Sequence, residues 1–158
     1  MRRALLLVVP FLFTSATVHA AQSTGNAALA LAALIGAEDP VLSQSQKHVL
    51  AHFLAGQAVS VPPTSQRIKT RADRIRCRMG DVDTTLHDCT LTFGHREITR
   101  AGRTGQLLLA TLQENGVPPD GAAGTIYYTV TNISCVVDAT GVEQHAGIGA
   151  TCTFTNGE

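Results

Sequence analysis

"RIRCRMGDVDTTLHDCTLTFG", residues Arg74 to Gly94, has a near echo in "ISCVVDATGVEQHAGIGATCTFTNG", residues Ile133 to Gly157. Each stretch holds two cysteines around a turn-rich segment, and each second cysteine is followed by Thr, an apolar residue and Thr. Leading into each first cysteine, apolar and polar residues alternate, the period-2 pattern of a strand with one buried face. Ile75, Cys77 and Met79 face one way; Arg74, Arg76 and Arg78 face the other. Upstream the parity is reversed, with Ile68 and Ala72 at even positions, so the phase slips near Asp73. In the second stretch Ile126, Tyr128 and Val130 give way to Ile133, Cys135 and Val137, with the slip near Asn132. A one-residue change of phase is what a β-bulge produces, and the pattern predicts one in each strand.

Setting the cysteines of each stretch opposite one another in an antiparallel hairpin tests the reading. Ile75 then faces Leu91, Met79 faces His87, Ile133 faces Phe154 and Val137 faces Ala150. Apolar residues meet across both hairpins, with His87 the exception. Of the three pairings that four cysteines allow, this register selects Cys77 with Cys89 and Cys135 with Cys152. Zinc binding is disfavoured because no two cysteines have the short knuckle spacing. Thioredoxin-like exchange is disfavoured because no C-x-x-C occurs.

The echo extends further upstream. Ile68, Ala72, Ile75 and Cys77 recur 58 positions later as Ile126, Val130, Ile133 and Cys135. "HVLAHFLAGQAVSVPP" (His48–Pro63) parallels "QLLLATLQENGVPP" (Gln106–Pro119). An internal repeat is therefore expected, spanning about residues 46–94 and 104–157. Asp39-Pro40 offers an N-cap followed by Pro at the first helical position, which predicts a helix over 41–55. Further helices are predicted over 105–114 and over the apolar segment Ala27–Ile35. The expected fold is α+β: two tandem helix-plus-β-hairpin units forming a four-stranded antiparallel sheet with helices on one face, each hairpin stapled by a disulfide.

The N-terminus speaks to compartment. Arg2 and Arg3 precede an apolar run from Leu5 to Phe13, and Val18 and Ala20 sit at −3 and −1 of a small-residue cleavage site. This is the plan of a signal peptide, residues 1–20, leaving residues 21–158 as a single mature domain. The apolar run is too short to span a bilayer, for which about 20 residues are needed. The expectation is an exported, soluble protein without a membrane span after cleavage, periplasmic in a Gram-negative cell and otherwise secreted. Four cysteines, an even number, suit an oxidising compartment.

Cleavage removes two of the 12 basic residues and none of the 12 acidic ones, leaving a slightly acidic chain. That argues against a globally basic nucleic-acid binder. Only Phe53, Phe93, Tyr127, Tyr128 and Phe154 remain as aromatics, a poor supply for stacking bases.

One concentration of charge stands out. Arg67, Lys69, Arg71, Arg74, Arg76 and Arg78 all fall on one strand, and guanidinium groups grip carboxylates and phosphates bidentately. The corresponding strand of the second stretch carries Tyr127, Thr129, Thr131, Ser134 and Val136 instead. Protection of an exposed strand from pairing is the plainer explanation of such charge. A weaker candidate is His48 with His52, one helical turn apart and half of a metal site. The glutamate of a zinc-protease helix is missing between them. "DVDTTLHD", with Asp81, Asp83 and Asp88, lacks the spacing of a calcium loop. No G-x-S-x-G elbow, S-x-x-K or P-loop occurs.

These residues point to a non-enzymatic binding or inhibitory module, without cofactor, for a protein or an anionic envelope component. The alternatives are a small hydrolase or metal-dependent enzyme using His48 and His52, and a structural or oligomerising module docking through Ala27–Ile35.

Overall fold

The computed structural model describes residues 20–55, 66–80, 87–121, 125–139 and 149–157. The segment before Ala20 expected to be a signal peptide, the Val-Pro-Pro motif at 61–63, and Asp81, Asp83 and His145 lie outside the described residues. The elements are β1 (Ala20–Thr24), α1 (Gly25–Glu38), α2 (Gln44–Leu54), β2 (Gln66–Met79), β3 (Asp88–Phe93), β4 (Arg96–Arg100), α3 (Gly102–Glu114), β5 (Pro119–Asp120), β6 (Ile126–Ala139) and β7 (Gly149–Asn156). The fold is α+β, three helices on an antiparallel sheet. The sheet has seven strands rather than the expected four, in the order β1-β7-β6-β2-β3-β4, with β5 beside β6. The three additional strands are short. β1 has no charged residue to mark it, β4 has one buried apolar residue, Ile98, and β5 is two residues long.

The centre of the sheet is the long pair β2–β6. Ile68, Thr70 and Ala72 are buried, then Ile75 and Cys77; opposite them Tyr128 and Val130 are buried, then Ile133, Cys135 and Val137. The buried parity changes at Asp73 and at Asn132. Ala72 pairs with Ile133 and Arg74 with Thr131, so the two changes stand face to face and the ladder keeps its register through them. A lone bulge would have thrown one strand's apolar set onto the wrong face. Against β7 the register does shift between Thr131 and Ser134, and Asn132 adopts a left-handed φ of 53°. Asparagine tolerates that region better than most residues. Ile133 falls within this shift and has no direct partner on β7, whereas Val137 faces Ala150 and Ile75 faces Leu91.

The disulfides join Cys77 to Cys89 and Cys135 to Cys152, and all four residues are fully buried. Both lie on the helix-covered face: the Cys89 sulfur is 3.3 Å from the Gly105 carbonyl of α3, and the Cys152 sulfur 3.3 Å from the Ala28 carbonyl of α1. α1 packs against β7, β6 and β2 and against both other helices. An apolar helix touched on several sides needs little polar face, which explains the composition of Ala27–Ile35. The reading of that segment as a free docking element is thereby corrected: Ala28, Leu31, Ala32, Leu34 and Ile35 are spent on the chain's own core.

The start of α2 also differs from expectation. Ser43 is its N-cap, in a reciprocal capping box with Gln46. Asp39 instead accepts hydrogen bonds from the backbone N–H of Val41 (2.9 Å) and of Arg71 in β2 (3.1 Å). Its carboxylate caps a strand edge that β3 does not reach. Two polar ties hold the helices in place. Arg100 of β4 donates Nε and Nη2 to both oxygens of Glu38 at the end of α1, at 2.7 and 2.8 Å. Buried Asn115, after α3, donates to the carbonyls of Ala27 (3.1 Å) and Thr111 (2.7 Å) and accepts from the Ser23 hydroxyl.

Candidate functional site

Because the buried residues of β2 face the helices, its remaining residues line the opposite face of the sheet, which no helix covers among the described residues. Arg67, Lys69, Arg71 and Arg78 are exposed, and Arg74 and Arg76 are half-buried. The matched change of phase at Asp73 keeps all six on one face; without it the row would be split between core and solvent. At about 3.3 Å rise per residue, a row from residue 67 to residue 78 extends for roughly 35 Å.

Strand pairing places hydroxyl groups on both sides of the row. Arg74 lies between Thr131 and Thr92, and Arg76 between Thr129 and Thr90. Arg71 faces Ser134, and Lys69 faces Val136. The result is a ridge of cations bordered by hydroxyl side chains at Arg71, Arg74 and Arg76, by Val136 at Lys69, and by carboxylates at Arg67 and Arg78.

The cations are not equivalent. Arg67 is 3.5 Å from Asp138, Arg74 is 3.4 Å from Glu97 and Arg78 is 2.9 Å from Asp88. The Arg76 guanidinium sits 4.1 Å from the centroid of the Tyr127 ring, a cation–π contact. Exposed ion pairs of this kind contribute about 0–1 kcal/mol each, but they neutralise the charge locally. Lys69 and Arg71 have no carboxylate partner among the described residues. The stripe that reads as one object in sequence therefore divides into an uncommitted pair, Lys69 and Arg71, with tied Arg67 before it and a tied end, Arg74 to Arg78, after it. The tied end borders a groove of about 420 Å³ lined by Arg74, Arg76, Arg78, Asp88, Thr90, Glu97 and Tyr127. The uncommitted pair borders a second cavity of about 490 Å³ that includes Asp39, Val41, Ala72, Asp73 and Phe93.

His48 and His52 lie on α2 with ring centroids 4.1 Å apart, edge to face. No group of three or more His, Cys, Asp or Glu residues with the geometry of a metal site occurs among the described residues. His87, from the first hairpin, accepts instead from the Gly80 backbone N–H through Nδ1, at 3.2 Å. Among the described residues no helix is long and apolar enough to cross a membrane.

Residues that sequence reasoning left out of the site are Asp39, Val41 and Phe93, which the fold brings to Lys69 and Arg71 from the α1–α2 connection and from the end of β3. None of the three carried a signal for the site: Asp39 reads as an N-cap and Val41 as the first residue of the expected helix, whereas α2 starts at Gln44.

No protein-family model, curated protein or solved structure matches the chain.

Proposed function

We propose that the chain is an exported, non-enzymatic binding module whose partner is anionic, a protein or other envelope component presenting carboxylates or phosphates to the uncovered face of the sheet. The observation that carries this reading is the pair Lys69 and Arg71, two cations without a carboxylate partner among the described residues, within a ridge of six. The comparison of β2 with β6 supports it. The two strands occupy equivalent central places and are equal in length, yet β6 fills the same face with Tyr127, Thr131, Ser134 and Val136. The sheet folds without cations at those positions, so their presence on β2 asks for another reason.

A linear polycarboxylate, polygalacturonate, serves as the probe. The chain recovered after export, beginning at Ala21, is expected to bind it with an affinity that falls steeply between low and physiological salt, as screening requires. Lys69→Glu with Arg71→Glu should weaken binding at least tenfold and leave the melting temperature within about 2 °C, since exposed substitutions rarely change stability by more than about 0.5 kcal/mol. Equal binding by the charge-reversed chain, or none by either chain at low salt, would sink the reading.

We also infer an internal duplication, with boundaries moved from those of the sequence pattern. The units are β1–α1–α2–β2–β3 and β4–α3–β5–β6–β7. Ser23 of β1 faces Cys152 and Arg100 of β4 faces Cys89, and each is followed by a residue and then a glycine of positive φ, Gly25 at 71° and Gly102 at 61°. β1 lies against β7 as β4 lies against β3. The chain crosses from β3 to β4 through Gly94-His95, and on the other side Thr155 of β7, two residues before Gly157, pairs with Ala20. A permuted chain that joins Gly157 to Ala20 through two residues and opens between Gly94 and His95 is expected to fold, with both disulfides, to within about 5 °C of the native melting temperature. Failure of that chain to form a cooperative fold would remove the inference.

A further inference from the structure

The sheet has a notch where β3 stops and β2 continues. The last β2 residue paired to β3 is Arg74, and among the described residues 66–72 pair on the other side only, with β6. The α1–α2 connection borders the gap. Asp39, 4% exposed, gives its two carboxylate oxygens to the N–H groups of Val41 and Arg71. Asp73 accepts from the Gly94 N–H on the opposite wall. Between them lies the cavity of about 490 Å³, within the range of small-molecule sites, roughly 300–1,000 Å³.

Its walls sort by chemistry. Pro40, Val41, Ala72 and Phe93 supply an apolar side, and Lys69 and Arg71 supply two cations. The two carboxylates are turned to backbone amides: Asp39 gives both oxygens to N–H groups, and Asp73 gives one to that of Gly94. Val41 is 87% exposed, an apolar side chain that folding leaves in water at the mouth. A ligand that used every part of this lining would carry one negative group for Lys69 and Arg71 and an apolar body along Val41 and Phe93. An inorganic anion would leave the apolar wall wet. A neutral apolar molecule would leave the cations unanswered.

We propose that this notch binds a small organic carboxylate with an apolar body. The proposal rests on the anionic-partner reading of β2 and names a ligand class for its uncommitted pair. Sodium octanoate is the probe, with octanamide and inorganic phosphate as comparators, followed through the backbone amide resonances of the exported chain. Octanoate should shift Ala72, Asp73 and Gly94 saturably, while octanamide and phosphate bind at least tenfold more weakly. Lys69→Gln with Arg71→Gln should weaken octanoate at least tenfold. Val41→Ser should weaken it about fivefold and leave polygalacturonate binding within twofold of native, because Val41 adds no charge to the ridge. Phosphate binding as tight as octanoate, shifts that saturate elsewhere, or indifference to both variants would overturn the proposal. Octanoate binding at the notch without polygalacturonate binding would sink the broader reading and leave the notch standing; the reverse result would remove the notch alone.

Discussion

Gly105→Ala is expected to destabilise the chain by about 3 kcal/mol or more, although helix propensity argues the other way. Gly105 lies in the first turn of α3, and replacing glycine by alanine inside a helix ordinarily gains about 1 kcal/mol. Here an added Cβ would stand 2.3 Å from the His87 carbonyl oxygen and 2.8 Å from that of Arg100. Both are backbone atoms, at the start of β3 and the end of β4, and neither can swing aside. Relief would require α3 to lift away from the first disulfide, whose sulfur touches the Gly105 carbonyl. Overpacking usually costs about 1–3 kcal/mol when side chains can adjust, so a backbone obstacle belongs at or above the top of that range. In a chain of this length the melting temperature should fall by roughly 10 °C. Gly36→Ala is the informative contrast: its Cβ would meet the Leu50 Cδ1 at 2.5 Å, the end of a flexible side chain. Urea unfolding of the two variants should give a clearly larger loss for Gly105→Ala. A Gly105→Ala midpoint equal to native would show that α3 does not sit this close to the strand ends.

Removing the disulfides should have the largest effect of all. The bonds close sequence separations of 12 and 17 residues, and in the entropic account each restricts the unfolded chain by about 3 kcal/mol. Together that is about 6 kcal/mol against a typical total of 5–15 kcal/mol. Each bond also fills the space between the sheet and a helix, so Cys77→Ala with Cys89→Ala leaves a void beneath α3, and Cys135→Ala with Cys152→Ala leaves one beneath α1. The single-pair variants should melt about 10 °C below native, and the four-cysteine variant should be largely unfolded at 37 °C. Because all four cysteines are fully buried, a reductant should act slowly on the folded chain and quickly once urea opens it. Circular dichroism melts of oxidised and variant chains would check the first claim. Loss of both bonds with a shift of less than about 3 °C would refute it.

The parts of the fold that were readable in sequence share one physical cause. A strand buried on one face alternates with period 2, so the parity of the buried face changes at Asp73 and at Asn132, although the expected bulge appears as a register shift only at Asn132, and the facing cysteines pair in each hairpin. Those signals are local, and they held for β2, β3, β6 and β7. β1, β4 and β5 were missed because an edge strand answers to water on one side and carries too few apolar positions to show a period. The start of α2 was misplaced for a related reason. Asp39-Pro40 has the chemistry of a helix start, but its carboxylate is taken by the Arg71 N–H, a partner 32 positions away that no window of sequence contains.

The same division runs through the candidate site. Sequence by itself determined that six cations fall on one strand and that a bulge at the change of parity could keep most of them on the solvent side; that all six share a face came from the pairing of β2 with β6. Which of them remain available was decided only by the tertiary structure, because the carboxylates that occupy Arg67, Arg74 and Arg78 come from β6, β4 and β3. Lys69 and Arg71 are distinguished by what does not reach them. β3 ends before their part of the strand, and the connection between α1 and α2 turns in beside them, bringing Val41 and the Asp39 carboxylate, whose oxygens accept from the Val41 and Arg71 backbone N–H groups. Side-chain periodicity is a property of the chain; charge compensation and cavity walls are properties of neighbours, and neighbours come from the sheet order.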